Sequence, residues 1–177
     1  MLHTPHTSSP DGSQTNDGLS GDVLTALSRV KDPEIPVISI VEMGMVTRAE
    51  KIDNTWHVTI TPTFVGCPAI NMIKDNIVTE MQQSGMSNVT VHVDFDTQWN
   101  SDRISPEARE KLEKFGLAPP PMLNDEDLTP EQLDRVRCPH CGSTDTTLRS
   151  AFGSTLCRAI RFCFNCKQGF EQFKPVG

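Results

Sequence analysis

A chain of 177 residues, 36% hydrophobic and with a net charge of −7, has material for one ordinary domain plus an appendage, or for two small ones. Its apolar runs fall well short of the ~20 residues that a transmembrane helix needs, and Met1-Leu2-His3-Thr4-Pro5-His6 has neither the basic nor the apolar stretch of a secretion signal, so the expected compartment is the cytoplasm. Residues 137–177 hold six Lys/Arg against Asp145 and Glu171, net +4, which leaves −11 on the rest; this balance keeps nucleic acid out of the expected partners, as the short apolar runs do membranes.

Residues 1–18 are rich in Ser, Thr, Pro, Asp and Gly without periodicity and read as a disordered lead. Helix signals begin at Ser20, where Val23, Leu24, Leu27 and Val30 recur at helical spacing until Pro33 intervenes. Asp32-Pro33-Glu34-Ile35-Pro36 is expected to be extended, because each proline disfavours the α region for the residue before it. Met45 to Ile52 and Trp56 to Pro62 read as two strands joined at Asp53-Asn54; in the second, Trp56, Val58 and Ile60 alternate with His57, Thr59 and Thr61. Pro68 stands where a first helical residue would, Ile70, Ile73, Ile77, Val78 and Met81 form an apolar stripe, and Gly85 supplies the stop. Val89, Val91, Val93 and Phe95 alternate as a third strand, and Ser105-Pro106 opens a helix that ends at Gly116. This order predicts an α+β domain over residues 19–117, a small mixed β-sheet covered by helices on one face. Residues 118–136 read as a linker stiffened by Pro119-Pro120-Pro121, then a short helix with Thr129 and Gln132 spaced as a capping box.

Residues 137–177 form a separate cysteine module. Cys138-Pro139-His140-Cys141 and Cys163-Phe164-Asn165-Cys166 are two C-x-x-C pairs separated by twenty-one residues. A two-residue gap lets both sulfurs of a pair face one ion while the turn's amides donate to the thiolates, and two such pairs close a tetrahedral four-cysteine site, the pattern of a zinc ribbon. A structural Zn²⁺ is the expected occupant. An iron–sulfur cluster on the same four thiolates is the alternative, since tetrahedral sulfur suits either metal. About forty residues cannot build a sizeable core, so the metal is expected to supply much of the module's folding energy.

Two cysteines remain. Cys67, in Gly66-Cys67-Pro68, would occupy a helix entrance, where unpaired amides and the dipole favour thiolate; a buried inert cysteine is an equal reading. Asp32 and Glu34 offer carboxylates that serve turn chemistry, or share a metal with Cys67 if the fold brings them together. Cys157 reads as a small buried hydrophobe or as an auxiliary thiol facing a transient metal or partner. His57 and His92 read as surface residues. The chain has no Gly-rich phosphate loop, no G-x-S-x-G and no H-E-x-x-H, so no catalytic array is assigned.

The segments Asp32-Pro33-Glu34-Ile35-Pro36, Ile38-Ser39-Ile40-Val41-Glu42-Met43-Gly44-Met45-Val46 and Gly66-Cys67-Pro68 resemble the MIP18 (DUF59) family, which is associated with iron–sulfur cluster assembly and delivery. Joined to a ribbon reading Phe152-Gly153-Ser154-Thr155, Cys157, Cys163-x-x-Cys166 and Phe173-Lys174, they resemble the PaaD (also PaaJ) family of the bacterial ring-1,2-phenylacetyl-CoA epoxidase system over about residues 20–177. The resemblance implies an accessory role in phenylacetate catabolism, assisting assembly of iron–sulfur or iron centres in the reductase and oxygenase subunits of a multicomponent monooxygenase. A non-catalytic scaffold whose zinc ribbon docks partner proteins is the alternative. By position it implies Cys67 as the functional thiol beside Asp32 and Glu34, Cys138, Cys141, Cys163 and Cys166 as the zinc set, and a transient iron–sulfur cluster or iron as cargo. Iron–sulfur assembly proteins and a second copy of the chain join the expected partners. Thr63-Phe64-Val65 ahead of Gly66 departs from the shorter approach of many MIP18 members, so the geometry around the thiol is expected to differ.

Overall fold

The computed structural model describes residues 21–124 and 135–176. The expected lead and the short helix containing Thr129 and Gln132 lie outside the described residues. The elements run α1 (Gly21–Leu27), β1 (Val46–Ile52), β2 (Thr55–Ile60), α2 (Ile70–Gln83), β3 (Val89–Val93), a 3-10 turn (Ser101–Arg103), α3 (Pro106–Phe115), β4 (Leu117–Ala118), β5 (Thr146–Ser150), β6 (Arg158–Cys163) and β7 (Gly169–Phe173). Among the described residues, no helix is long and apolar enough to cross a membrane.

The first sheet has the order β1-β2-β3 and is mixed: β1 and β2 are antiparallel, β2 and β3 parallel. The hairpin turns at Asp53 and Asn54, both at positive φ (46° and 65°), a conformation that short polar side chains tolerate and that matches strand twist. The apolar stripe of α2 (Ile73, Ile77 and Met81) joins Val58 and Ile60 in one core with Val23, Ala26 and Leu27 of α1. The fold is the expected α+β class, with helices on one sheet face and His57 and His92 on the other.

Two local expectations differ. Residues 32–36 bend instead of running straight, because Asp32 Oδ1 accepts the Glu34 and Ile35 amides (2.8 and 2.9 Å) and the turn outweighs the prolines' preference. Helix α2 begins at Ile70, after a turn through Pro68 and Ala69, so Cys67 lies just before the helix. The loop after residue 36 is a reciprocal turn that its sequence signals: Ser39-Ile40-Val41-Glu42 is a capping-box pattern. The Ser39 amide and hydroxyl donate to Glu42 Oε2 (2.9 and 3.0 Å), and the Glu42 amide donates to Ser39 Oγ (3.2 Å).

The second sheet has the order β4-β7-β6-β5, antiparallel except where the two residues of β4 lie parallel to β7. That edge strand continues from the end of α3, so the two sheets are joined immediately before the proline run. The prolines are tied down as well: Arg109 Nη1 donates to the Pro120 carbonyl (2.6 Å), and the Leu123 amide donates to Asp102. Next to the residues paired with β4, Phe173 at the end of β7 is buried in the first core, 5.9 Å from the Trp99 ring. The Ser101 amide donates to the Val176 carbonyl (2.8 Å). The ribbon's own cluster is small: Ala118, Val136, Cys138, Cys163 and Phe170, with Cys166 against it.

The ribbon is therefore stabilised from both ends, by its cysteines and by a borrowed core. Phe173→Ala is expected to destabilise the whole chain by about 3–5 kcal/mol, the range for emptying a buried phenylalanine site. Denaturant melts followed at Trp99, in the α+β core, measure it; an unchanged Trp99 transition would contradict the shared core.

Candidate functional site

The ribbon's two C-x-x-C turns have the same backbone plan. The Cys138 amide donates to the Ser143 carbonyl and the Gly142 amide to the Cys138 carbonyl (both 2.9 Å). In the second turn the Cys163 amide donates to Gln168 (2.9 Å) and the Lys167 amide to Cys163 (3.0 Å). Each turn has one residue at positive φ, Gly142 (74°) and Lys167 (60°); at Gly142 a Cβ would also come within 3.0 Å of Arg137. These turns aim four sulfurs at one point, all within 4.8 Å of one another. Cys138 and Cys166 are 3.8 Å apart, Cys141 and Cys163 3.6 Å. A tetrahedron with metal–sulfur bonds of about 2.3 Å has edges of about 3.8 Å, so the two closest pairs already stand at the spacing of a tetrahedral thiophilic ion.

The protonation pattern agrees. The Asn165 side-chain amide and the Ser143 backbone amide lower the Cys141 thiol to about 6, while desolvation and the neighbouring cysteines push Cys166 up to about 12. Four sulfurs this close cannot all be thiolates without a cation among them, and a divalent ion would take the place of the protons.

The second constellation lies at the seam between the sheets. Cys67 and Cys157, neither fully buried nor exposed, line one cavity together with Glu34, Pro68, Thr155 and Leu156. Asp32 lies close enough for its charge to act on both thiols. The fold thus gathers all four of the predicted residues, Asp32, Glu34, Cys67 and Cys157, into one region. Their donor atoms do not converge as the ribbon's do: among the described residues, only the four ribbon cysteines form a group of three or more donors within 4.8 Å of one another.

Burial pushes the Cys67 thiol up, against the pull of the Ala69 and Ile70 amides, and the charges of Asp32 and Glu34 push the same way. Cys157 is likewise raised, chiefly by burial, although Thr155 Oγ1 lies 3.0 Å from its sulfur. Burial also raises the Asp32 carboxyl, partly offset by the two amides it accepts. The helix-entrance expectation of a ready thiolate at Cys67 is corrected: desolvation outweighs the amides, and the resting group is a thiol.

Arg158 has no role in the sequence reading, yet it joins the seam. Its Nη2 donates to the Glu34 carbonyl (2.5 Å) and its Nη1 to Glu171 (2.8 Å). Gly153 packs against it so closely that a Cβ would come within 2.9 Å of the Arg158 Cβ. The available signal was the Gly153-Ser154-Thr155 run ahead of Cys157. His57 Nδ1 and His92 Nε2 are 3.1 Å apart with stacked rings, exposed on the open sheet face, and the Cys67 cavity has no histidine in its lining.

With this geometry in view, the relatives are informative. Residues 124–174 match the PaaD zinc beta ribbon domain, and residues 21–95 match an iron-sulfur cluster assembly protein family. The chain is 38% identical over 155 residues to a "Putative 1,2-phenylacetyl-CoA epoxidase" subunit of Escherichia coli (strain K12), covering 88% of this chain and 92% of that one. It is 31% identical to the Fe-S protein maturation auxiliary factor of Porphyromonas gingivalis, over 51% of this chain and 88% of the relative. Among solved structures, a domain of unknown function DUF59 from Bacillus anthracis superposes with a TM-score of 0.48 at 26% identity, over 51% of this chain and 87% of that one. An α+β domain of the iron-sulfur assembly type followed by a four-cysteine ribbon, matched along nearly its whole length, means that the chain belongs to the PaaD family of 1,2-phenylacetyl-CoA epoxidase subunits.

Proposed function

We propose that the chain is an accessory subunit of a phenylacetyl-CoA epoxidase system that assists assembly of the iron–sulfur or iron centres of its reductase and oxygenase partners, with Cys67 as the working thiol. The observation that carries this reading is the gathering of Cys67, Cys157, Glu34 and Asp32 at one seam: soft donors and carboxylates beside an apolar cavity, with no histidine in its lining to serve as a base. A protonated thiol suits temporary work. It holds no cation tightly at rest, and gives up its proton only when metal–sulfur bonding compensates.

The ribbon has a different task. Cys138, Cys141, Cys163 and Cys166 would hold a structural Zn²⁺, which, with all four positions taken by sulfur, supplies cross-linking and no open coordination site. Its cross-link keeps β6 and β7 in register, and with them Cys157 and Arg158.

A scaffold reading has its own support. Val65 and Phe152 are 83% and 76% exposed close to the seam, a surface suited to a protein partner, and a half-buried thiol can serve packing alone.

Protein purified without oxygen is expected to be colourless with one zinc per chain, and stripping the ion with a chelator in mild denaturant should unfold the ribbon and lower the melting temperature of the whole chain. A metal-free chain with an unchanged melt would rule out the structural role. Cys67→Ser is expected to fold with stability within about 1 kcal/mol of the parent, as a near-isosteric change at a partly exposed site, yet to leave the partner reductase or oxygenase short of iron when co-expressed. Partners fully loaded beside that variant would favour the scaffold.

A further inference from the structure

The loop before β6 is built to present one side chain. The Gly153 amide donates to the Arg158 carbonyl (2.9 Å), the Arg158 amide to the Thr155 carbonyl (3.1 Å), and the Ser154 amide to Glu171 Oε1 (2.8 Å). The Cys157 carbonyl accepts the Lys174 amide (2.8 Å), which ties the loop to the end of β7. Next along the chain, the Arg158 guanidinium grips the Glu34 carbonyl across the seam. The loop is thus fixed to both halves of the molecule on either side of Cys157, and the residue it delivers lines the cavity of Cys67.

We propose that this seam is a two-thiol site for a single thiophilic metal ion, with Cys67 supplied by the α+β domain and Cys157 by the ribbon, and Glu34 lining the same cavity. The inference rests on the reading of Cys67 as the working thiol, and gives that thiol a partner ligand from the other half of the molecule. Two sulfurs select a soft or borderline divalent cation over Mg²⁺ or Ca²⁺. On binding, each thiol forms a sulfur–metal bond and releases its proton to solvent, so nothing is oxidised or reduced. The negative charge of Asp32, which acts against thiolate at both cysteines, then favours the cation.

The test uses the full chain, reduced, under anaerobic conditions and loaded with one equivalent of Zn²⁺ to fill the ribbon. Co²⁺ is added and the thiolate-to-cobalt charge-transfer absorption is recorded, together with the protons released. The parent is expected to bind one Co²⁺. Cys157→Ser should lose about half of the absorption, one of two cobalt–sulfur bonds, and weaken binding at least tenfold. The Cys67→Ser/Cys157→Ser double variant reports any exchange into the ribbon, and its signal is subtracted. Zinc content and thermal melts of each variant establish that the ribbon is intact. A corrected spectrum and affinity for Cys157→Ser equal to the parent's would overturn the two-thiol site, as would the absence of any corrected signal in the parent. Partner loading by Cys67→Ser is measured separately: a client still starved by that variant, beside an unaltered Cys157→Ser spectrum, keeps the delivery role and discards the shared site.

Discussion

The Arg158 guanidinium bridges the two halves of this molecule. One nitrogen donates to the Glu34 carbonyl in the bend after α1, and another to Glu171 on β7. At 9% exposure the Arg158 guanidinium meets little competing water, which strengthens both charge-assisted bonds. Its larger consequence is registration. Cys157 is its immediate neighbour in the chain, so fixing the guanidinium fixes where the ribbon's spare thiol stands relative to Cys67.

That registration needs a rigid ribbon, and the ribbon lacks the apolar volume to be rigid alone. Five buried residues, two of them cysteines, form its cluster. It draws on two other sources of order: four sulfurs spaced for one tetrahedral ion, and Phe173 seated in the neighbouring core against Trp99. The pairing of β4 with β7 adds a third tie, since Leu117 and Ala118 continue directly from α3. The two thiol sites consequently differ in character. The ribbon set converges and is closed; the seam set is loosely gathered and partly open.

Much of this is legible from residue order. Alternation at Trp56-Val58-Ile60 and Val89-Val91-Val93, the stripe Ile73-Ile77-Met81, the turn residues Asp53-Asn54 and the cap at Ser105 each state a local preference that packing then follows. The bend at residues 32–36 escapes a reading that weighs proline's backbone preference without the Asp32 side chain, which turns the chain by accepting two amides. The raised thiol of Cys67 is equally out of reach: its amide donors are local and visible, but the burial that outweighs them comes from the fold around it.

By itself, then, the sequence determined the α+β class, the order of elements and the two cysteine pairs that cluster in the ribbon, because helix and strand periodicity and C-x-x-C spacing act between residues a few positions apart. Only the tertiary structure decided that Cys157 meets the cavity of Cys67, that Arg158 spans the seam and that Phe173 belongs to the other domain's core. Arg158 and the Glu34 carbonyl are 124 positions apart in the chain. No local pattern encodes such a pairing: it follows from how two sheets pack, and so from the whole set of buried side chains acting at once.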